Sequence, residues 1–197
     1  MCNNKDLVEF MKQQREIAEY LEAKHEGVSY PTLIPALKGE FIPSGKVKEK
    51  TVYFRLSKFI EGAHLDWVDA YSKPFLRHVG RVLGEMSLLL KEYPNKVSSK
   101  LMIPSDAKFM RGCMGKGRNA VFGHFTDKYE GMVLPLLNKI PKVLIHGDFH
   151  PGNIIIDQET QKIIGIIDFG SCGMSHPGYD LGTVLCHILG DKKKYKF

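Results

Sequence analysis

The sequence lacks the features that would place it in or across a membrane. None of its segments approaches the roughly 20 consecutive apolar residues that cross a bilayer. The opening MCNNKDLVEF has no apolar stretch of the kind found in secretory signals. We therefore expect a soluble, cytoplasmic protein with no membrane partner.

Paired cysteines are also missing. The four cysteines, Cys2, Cys113, Cys172 and Cys186, are far apart and form no CxxC pair. This spacing indicates reduced thiols and gives no sign of a disulfide framework or a zinc site.

Basic residues exceed acidic ones, but they form no pattern typical of nucleic-acid binding. The net charge is +6, with the lysines scattered apart from short runs such as 46–50 and 192–194. No aromatic-basic RNA motif accompanies them, so we expect no nucleic-acid partner. The positive surface favours the approach of phosphorylated ligands. Hydrophobic residues make up 43% and charged residues 25%, which is typical of a packed globular chain.

The spacing of apolar residues predicts helices separated by short strands. The predicted helices cover residues 6–24, 73–92, 119–139 and 179–189. The predicted strands are 51–60, 143–145, 154–156 and 163–167, the last two joined as a hairpin. Asp6 is the expected N-cap of the first helix, and Glu61-Gly62 is an expected hinge. The basic, glycine-rich segment 111–117 follows no strand and opens no helix, so we predict an ordinary loop there.

The chemistry of the chain is concentrated in HGDFHPGN (146–153) and in DFG (168–170). Phosphoryl transfer requires metal ions on the phosphates and a carboxylate at the attacking hydroxyl. A loop with Asp148 and Asn153 five residues apart can present both side chains to one site, and the hairpin returns the chain to Asp168. We predict that Asp148 orients the substrate hydroxyl while Asn153 and Asp168 hold Mg2+, a cation that prefers oxygen ligands.

Another interpretation of the same segment is a hydrolytic metal centre. His146, Asp148 and His150 alternate, a spacing that is compatible with the ligands of such a centre. This interpretation leaves Asn153 and the DFG spacing unexplained, and His176 is the only further histidine nearby.

The two motifs resemble the aminoglycoside phosphotransferase and choline kinase branch of the kinase-like fold, in which HGDxHxxN replaces the HRDxxxxN of protein kinases. The resemblance implies an α+β, two-lobed fold, with 1–62 as a partial N-lobe and 63–197 as a partial, mainly helical C-lobe carrying the catalytic hairpin. It implies that Asp148 is the catalytic base and that Asn153 and Asp168 are magnesium ligands. His146 and His150 then support the loop, and Asp180, in GYDL, braces it.

The resemblance extends upstream to the nucleotide-binding parts of the family. It implies that Glu16, in QQREIAEYL, pairs with the ATP-binding lysine, although a solvent-facing charge is the alternative. The backbone of Ser57, Lys58 and Phe59 is then expected to meet the adenine. Ile155 and Ile167 are expected to line the apolar slot, although both are equally explained as core residues.

Within the family, VYFRLSKFIEGAHL looks most like hydroxylysine kinase, which implies 5-hydroxy-L-lysine as acceptor and ATP or GTP as donor. No glycine-rich loop and no strand lysine precede Glu16, and the chain stops at Phe197 soon after the last predicted helix. We therefore expect a truncated chain that exposes a sheet edge and can self-associate. The alternative function is an inactive pseudoenzyme that binds at most a nucleotide or a partner. A protein kinase is disfavoured because HRD and a long activation loop are missing.

Overall fold

The computed structural model describes residues 4–67, 71–95, 97, 119–137 and 139–190. The helices are α1 (Asn4–Lys24), α2 (Lys73–Lys91), α3 (Asn119–Lys128), α4 (Leu134–Leu137) and α5 (Gly178–Gly190). The strands are β1 (Leu33–Ile34), β2 (Ser44–Val47), β3 (Lys50–Tyr53), β4 (Leu56–Ser57), β5 (Ala63–His64), β6 (Val143–Ile145), β7 (Ile154–Ile156), β8 (Ile163–Ile166) and β9 (Gly173–Ser175). Separate helices and small antiparallel sheets agree with the predicted α+β class.

Helix α1 begins two residues earlier than predicted. Its start at Asn4 puts Asp6 inside the first turn, so the prediction of Asp6 as N-cap is wrong. A carboxylate in the first turn still favours the helix by interacting with its dipole. Ile17 and Leu21 are buried in the core, whereas Leu7 is 41% exposed.

Helix α2 confirms its predicted range within one residue. Ser72 caps it, and its hydroxyl oxygen accepts a hydrogen bond from the backbone N–H of Phe75 at 3.3 Å. Pro74 lies in the first turn, where a missing N–H costs nothing. Its apolar face, which includes Val79 and Met86, is buried.

The strand predicted for 51–60 is interrupted in the structure. Residues 50–53 pair back with β2 as a hairpin, whereas 56–57 pair with β1. Phe54 and Arg55 lie between the two pieces, outside either strand. The break arises because the two halves pair with different partners, which an apolar pattern cannot show.

The predicted hairpin of β7 and β8 is confirmed, with an irregularity at Ile155 and Ile156. β5 adds to β7 as a third strand. On the other side of β8, the backbone N–H of Ser29 donates to the oxygen of Ile164 at 2.8 Å, and the N–H of Ile166 donates to the oxygen of Ser29 at 3.1 Å. Part of this edge of the sheet is therefore covered by the chain itself.

Two parts of the C-terminal region differ from the prediction. β9 was not predicted, and it pairs with β6 along three residues of each strand. The helix predicted for 119–139 contains a π-helical turn at Tyr129–Val133, which separates α3 from α4. The glycine-rich segment 111–117 lies outside the described residues.

One apolar core joins these elements. It contains Leu21 of α1, Met86 of α2, Ile154 of β7, Ile166 of β8 and Val184 of α5. The segments 146–153 and 168–170 therefore share one packed core. Within the described ranges, every helix is too short or too polar to cross a lipid bilayer.

Candidate active site

One buried carboxylate holds the loop between β6 and β7 through hydrogen bonds. Asp180, at the start of α5, is 1% exposed. Its two oxygens accept hydrogen bonds from the backbone N–H groups of His146 at 2.9 Å and Gly147 at 2.8 Å. Burial raises the pKa of the Asp180 carboxyl, while these two backbone donors oppose the rise. Asp180 thus lies where the resemblance places the residue that braces the loop.

His146 connects this loop to the end of β8. Its Nε2–H donates to the carbonyl oxygen of Ile167 at 3.0 Å, and its Nδ1 accepts from the N–H of Asp148 at 3.2 Å. This pair of bonds requires the neutral ring with its proton on Nε2. Burial lowers the pKa of His146, which agrees with the neutral form. Both ring nitrogens are therefore engaged, so His146 cannot be the metal ligand that the hydrolytic interpretation needs.

Asn153 and Asp148 lie side by side. The Asn153 side-chain nitrogen donates to the Asp148 carbonyl oxygen at 2.9 Å and lies 3.4 Å from the Asp148 carboxylate. His150 supports the turn that brings them together, because its Nδ1 accepts from the N–H of Gly152 at 3.0 Å. From outside the loop, His64 Nδ1 lies 2.7 Å from the carbonyl oxygen of Gly152. These contacts fix the Asn153 amide so that its oxygen is the atom available to a ligand.

Asp168 occupies a left-handed backbone conformation, with φ of 63° and ψ of 75°. Such a conformation is costly for most side chains, but Asp tolerates it by bonding to its own turn. Here its Oδ1 accepts from the N–H of Gly170 at 3.0 Å. The N–H of Ile167 donates to the carbonyl oxygen of Asn153 at 2.9 Å, so the residue before Asp168 is bonded to Asn153. The structure therefore brings Asp148, Asn153 and Asp168 into one neighbourhood.

The donor set fits Mg2+. Asn153 donates through its nitrogen, which leaves its oxygen for a cation, and the Asp168 carboxylate is exposed at the turn. Both groups offer oxygen to a hard cation that prefers such ligands.

Ser57 and Lys58, which are predicted to contact the adenine, have different surroundings. Ser57 lines a cavity of about 260 Å3 together with Asp168. The Lys58 N–H donates to the Thr32 oxygen at 2.8 Å, and its ammonium pairs with Glu22 at 3.1 Å. The Lys58 N–H is therefore already bonded within the protein, and the adenine contact of the 57–59 backbone stays a prediction.

The other residues predicted to contact the nucleotide, Phe59, Ile155 and Ile167, differ in their exposure. Phe59 is 82% exposed, whereas Ile155 is 4% exposed and belongs to the sheet. Ile167 is half-buried, and its backbone serves the two bonds described above. At the expected hinge, Gly62 has φ of +159°, and a Cβ there would lie 2.6 Å from the Ile155 side chain. The hinge therefore needs a glycine for Ile155 to pack beneath it.

The structure does not bring Glu16 to the site. The face of α1 at the Asp168 cavity contains Met11, Gln14 and Ala18. Glu16 is two residues, or about 200°, from Gln14 and from Ala18 around the helix. It lies instead close enough to Tyr93 for its charge to raise the pKa of that phenol, an effect second to burial among the causes that raise it. The sequence interpretation chose an acidic residue without fixing the helix phase.

Several residues at the site carried no clear sequence signal. Gln14 and Arg55 line the cavity beside Asp168, although they are far apart in the chain. A second cavity of about 570 Å3 contacts the loop between β6 and β7 and is lined by Asp66, Tyr71, His150, Cys186 and His187 among others. His150 and His187 stack there with ring centroids 5.1 Å apart. Cys172 and Cys186 are free thiols, as predicted; Cys2 and Cys113 lie outside the described residues.

Replacing Asp180 by asparagine is expected to destabilise the loop selectively. The amide keeps one acceptor oxygen but turns an NH2 group toward the other N–H, which leaves a buried donor unsatisfied. Such a loss costs about 1–3 kcal/mol. Urea denaturation should show this decrease in the free energy of unfolding, and hydrogen exchange should show faster exchange at His146 and Gly147. Exchange at these two amides equal to that in the wild type would contradict the bracing role.

Comparison with known proteins was made by sequence and by structure. A model of the phosphotransferase enzyme family matches residues 3–193. No curated protein matches the chain by sequence. Among solved structures, a microcompartment-associated aminopropanol kinase is similar with a TM-score of 0.72 and 19% identity, covering 93% of this chain and 60% of that one.

Two further structures share the fold. An amicoumacin kinase in complex with AMP-PNP and Ca2+ has a TM-score of 0.70 and 16% identity, covering 95% of this chain and 55% of that one. An aminoglycoside phosphotransferase from Streptomyces rimosus, in complex with ADP and streptomycin, has a TM-score of 0.58 and 19% identity, covering 96% and 70%. The chain thus spans 55% and 60% of the length of the amicoumacin and aminopropanol kinases. At these identities the likeness establishes the kinase-like fold.

Proposed function

Because this chain belongs to the phosphotransferase enzyme family, we propose that it is a small-molecule kinase, which transfers the γ-phosphate of a purine nucleotide to a hydroxyl group of an amino acid or amino alcohol. The observation that carries the proposal is the link between the two motifs. One neutral imidazole, His146, bonds the Asp148 backbone on one side and the Ile167 backbone, next to Asp168, on the other.

Each residue has a role in the proposed reaction. Asp148 accepts the hydrogen bond of the acceptor hydroxyl, orients its oxygen toward the phosphate and takes up its proton as transfer proceeds. Asn153 and Asp168 would hold Mg2+, which when bound neutralises charge on the phosphates. Asp180, His146 and His150 keep the loop in the shape that places Asp148 and Asn153 next to each other.

For the acceptor we propose 5-hydroxy-L-lysine. The cavity next to His150 has a volume of about 570 Å3, which is wide enough for an amino acid. The aminopropanol kinase with the same fold is named for an acceptor that also joins an amine to a hydroxyl.

Titration calorimetry with Mg-ATP and with Mg-GTP tests the nucleotide site. We expect binding that is lost in excess EDTA and in the Asp168→Ala variant, because that carboxylate would hold the metal that neutralises charge on the phosphates. Glu159→Ala, on the exposed hairpin turn, removes the same charge and should bind like the wild type. An acceptor screen beginning with 5-hydroxylysine follows.

A nucleotide-binding chain without turnover is the alternative to this enzyme. Binding without product from any acceptor supports that candidate. No binding by a folded chain contradicts both candidates for the chain on its own.

A further inference from the structure

The cavity beside Asp168 contains two guanidinium groups that the proposed mechanism does not use. It has a volume of about 260 Å3 and lies between α1, the β1–β4 pair and the turn after β8. Arg15 comes from α1, and Arg55 comes from the break between β3 and β4. A cavity that has a metal-binding carboxylate at one wall and arginines at another has the charges that a metal–phosphate group requires.

The guanidinium of Arg15 already has interaction partners within the protein. Its Nε donates to the Glu19 carboxylate at 2.8 Å, one helical turn away. Its guanidinium carbon lies 3.8 Å from the centre of the Phe41 ring. The ion pair balances its charge and the ring holds its plane, so Arg15 forms part of the cavity wall.

Arg55 is held by a neutral partner. Its Nη1 donates to the side-chain oxygen of Gln14, which is only 7% exposed. Among the described residues, no carboxylate lies within 4.0 Å of this guanidinium. A guanidinium offers five N–H donors, and Gln14 accepts from one nitrogen. Arg55 is therefore oriented by a buried amide, and no described carboxylate compensates its charge; Asp168 lines the same cavity without forming an ion pair with it.

We infer that Arg55 binds a phosphate group of the nucleotide in this cavity, and that Gln14 is the positioning residue that orients it. The inference rests on the proposed function, because it assigns the basic group of the same nucleotide site. The planar guanidinium of an arginine can bond two phosphate oxygens at once. A side chain that is already oriented loses less conformational freedom on binding than a mobile one. The Asp168 side would then hold the metal, and the Arg55 side the phosphate oxygens.

Calorimetric titration of Arg55→Met with Mg-ADP and with inorganic tripolyphosphate tests the assignment. Loss of a charged hydrogen-bond donor weakens binding by about 10- to 100-fold. We expect this loss for both ligands, since both carry the phosphates. Arg55→Lys should recover part of the affinity, because it restores the charge without the planar guanidinium. Arg81→Met, an exposed arginine of α2, is the matched control and should bind both ligands like the wild type.

Gln14→Glu tests whether the partner of Arg55 must be neutral, with a side chain of nearly the same size. It keeps the acceptor oxygen, so Arg55 stays in place, but its carboxylate neutralises the guanidinium. We expect the affinity for tripolyphosphate to fall at neutral pH, with an unchanged thermal unfolding midpoint. A purely structural role for the Gln14–Arg55 bond predicts the reverse, namely unchanged affinity.

The outcomes separate this inference from the proposed function. If the wild type binds Mg-ADP in an Asp168-dependent way and Arg55→Met binds both ligands equally well, the inference is wrong and the nucleotide site stands. If Arg81→Met loses as much affinity as Arg55→Met, general surface charge is responsible and the inference is again wrong. If the folded wild type binds neither ligand, the inference and the proposed site are both overturned.

Discussion

Replacing Asp148 by asparagine is expected to abolish phosphoryl transfer while leaving Mg-nucleotide binding nearly intact. The amide has the size and shape of the carboxylate but cannot take up the proton of the acceptor hydroxyl. Loss of a positioned general base lowers a rate by about 10²- to 10⁴-fold. The backbone bonds that shape the loop come from the Asp148 N–H and carbonyl oxygen, so they survive the substitution. The measurement is the initial rate of nucleoside diphosphate release with the acceptor that the screen identifies.

The surroundings of the Asp148 carboxylate indicate that nucleotide binding should survive the substitution. Its carboxylate lies 3.4 Å from the Asn153 nitrogen and 3.6 Å from His150 Nε2. An asparagine can keep its oxygen toward both groups, so Asn153 need not move and nucleotide affinity should hold. Glu159→Gln removes the same negative charge from the exposed hairpin turn and should turn over like the wild type. Unchanged turnover in Asp148→Asn would falsify the assignment of Asp148 as the base.

The catalytic motif was predictable because its signals are local. Three short apolar runs separated by polar turns predicted β6, β7 and β8, and the structure has them within one residue. The spacing of Asn153 and Asp168 is the length of the hairpin plus its flanks, so the hairpin necessarily brings the two ends together. Asp180 carried no such signal in its own neighbourhood and was found through the resemblance alone.

What the sequence hid are contacts between distant segments. β9 has the sequence Gly-Met-Ser, which has little preference for strand, and it forms because β6 offers it a partner. The pair Gln14 and Arg55 joins residues 41 positions apart. No periodicity in either segment indicates such a pair.

The position of Glu16 depends on a different feature, the rotation of the helix. The helix was predicted correctly, but its rotation about its own axis was not, and the two polar residues Gln14 and Glu16 face nearly opposite directions. Burial decides between them, since Gln14 is 7% exposed and Glu16 is exposed. Sequence alone favours the acidic residue, because it shows charge and not orientation.

The largest effect on stability is expected from Gly147→Ala. Gly147 has φ of +83°, and a Cβ there would lie 1.9 Å from the carbonyl oxygen of Ser171, which is backbone and cannot rotate away. The left-handed conformation costs an alanine about 1–2 kcal/mol. Overpacking against a fixed neighbour adds about 1–3 kcal/mol. We expect urea denaturation to show the free energy of unfolding reduced by about 2–5 kcal/mol.

Gly80→Ala is the matched control, because it adds the same methyl group in the interior of α2, where a Cβ meets nothing within 4 Å. There alanine should stabilise the protein by about 0.5–1 kcal/mol. Opposite signs of the two changes in the free energy of unfolding would show that the contact with Ser171 causes the loss. The replacement of glycine by alanine would not cause it by itself. Equal denaturation midpoints for Gly147→Ala and the wild type would mean that the loop can move away from Ser171. In that case the loop with Asp148 and the turn with Asp168 are not held at the fixed separation that the proposed chemistry needs. Mg-nucleotide binding should then be lost without any loss of stability.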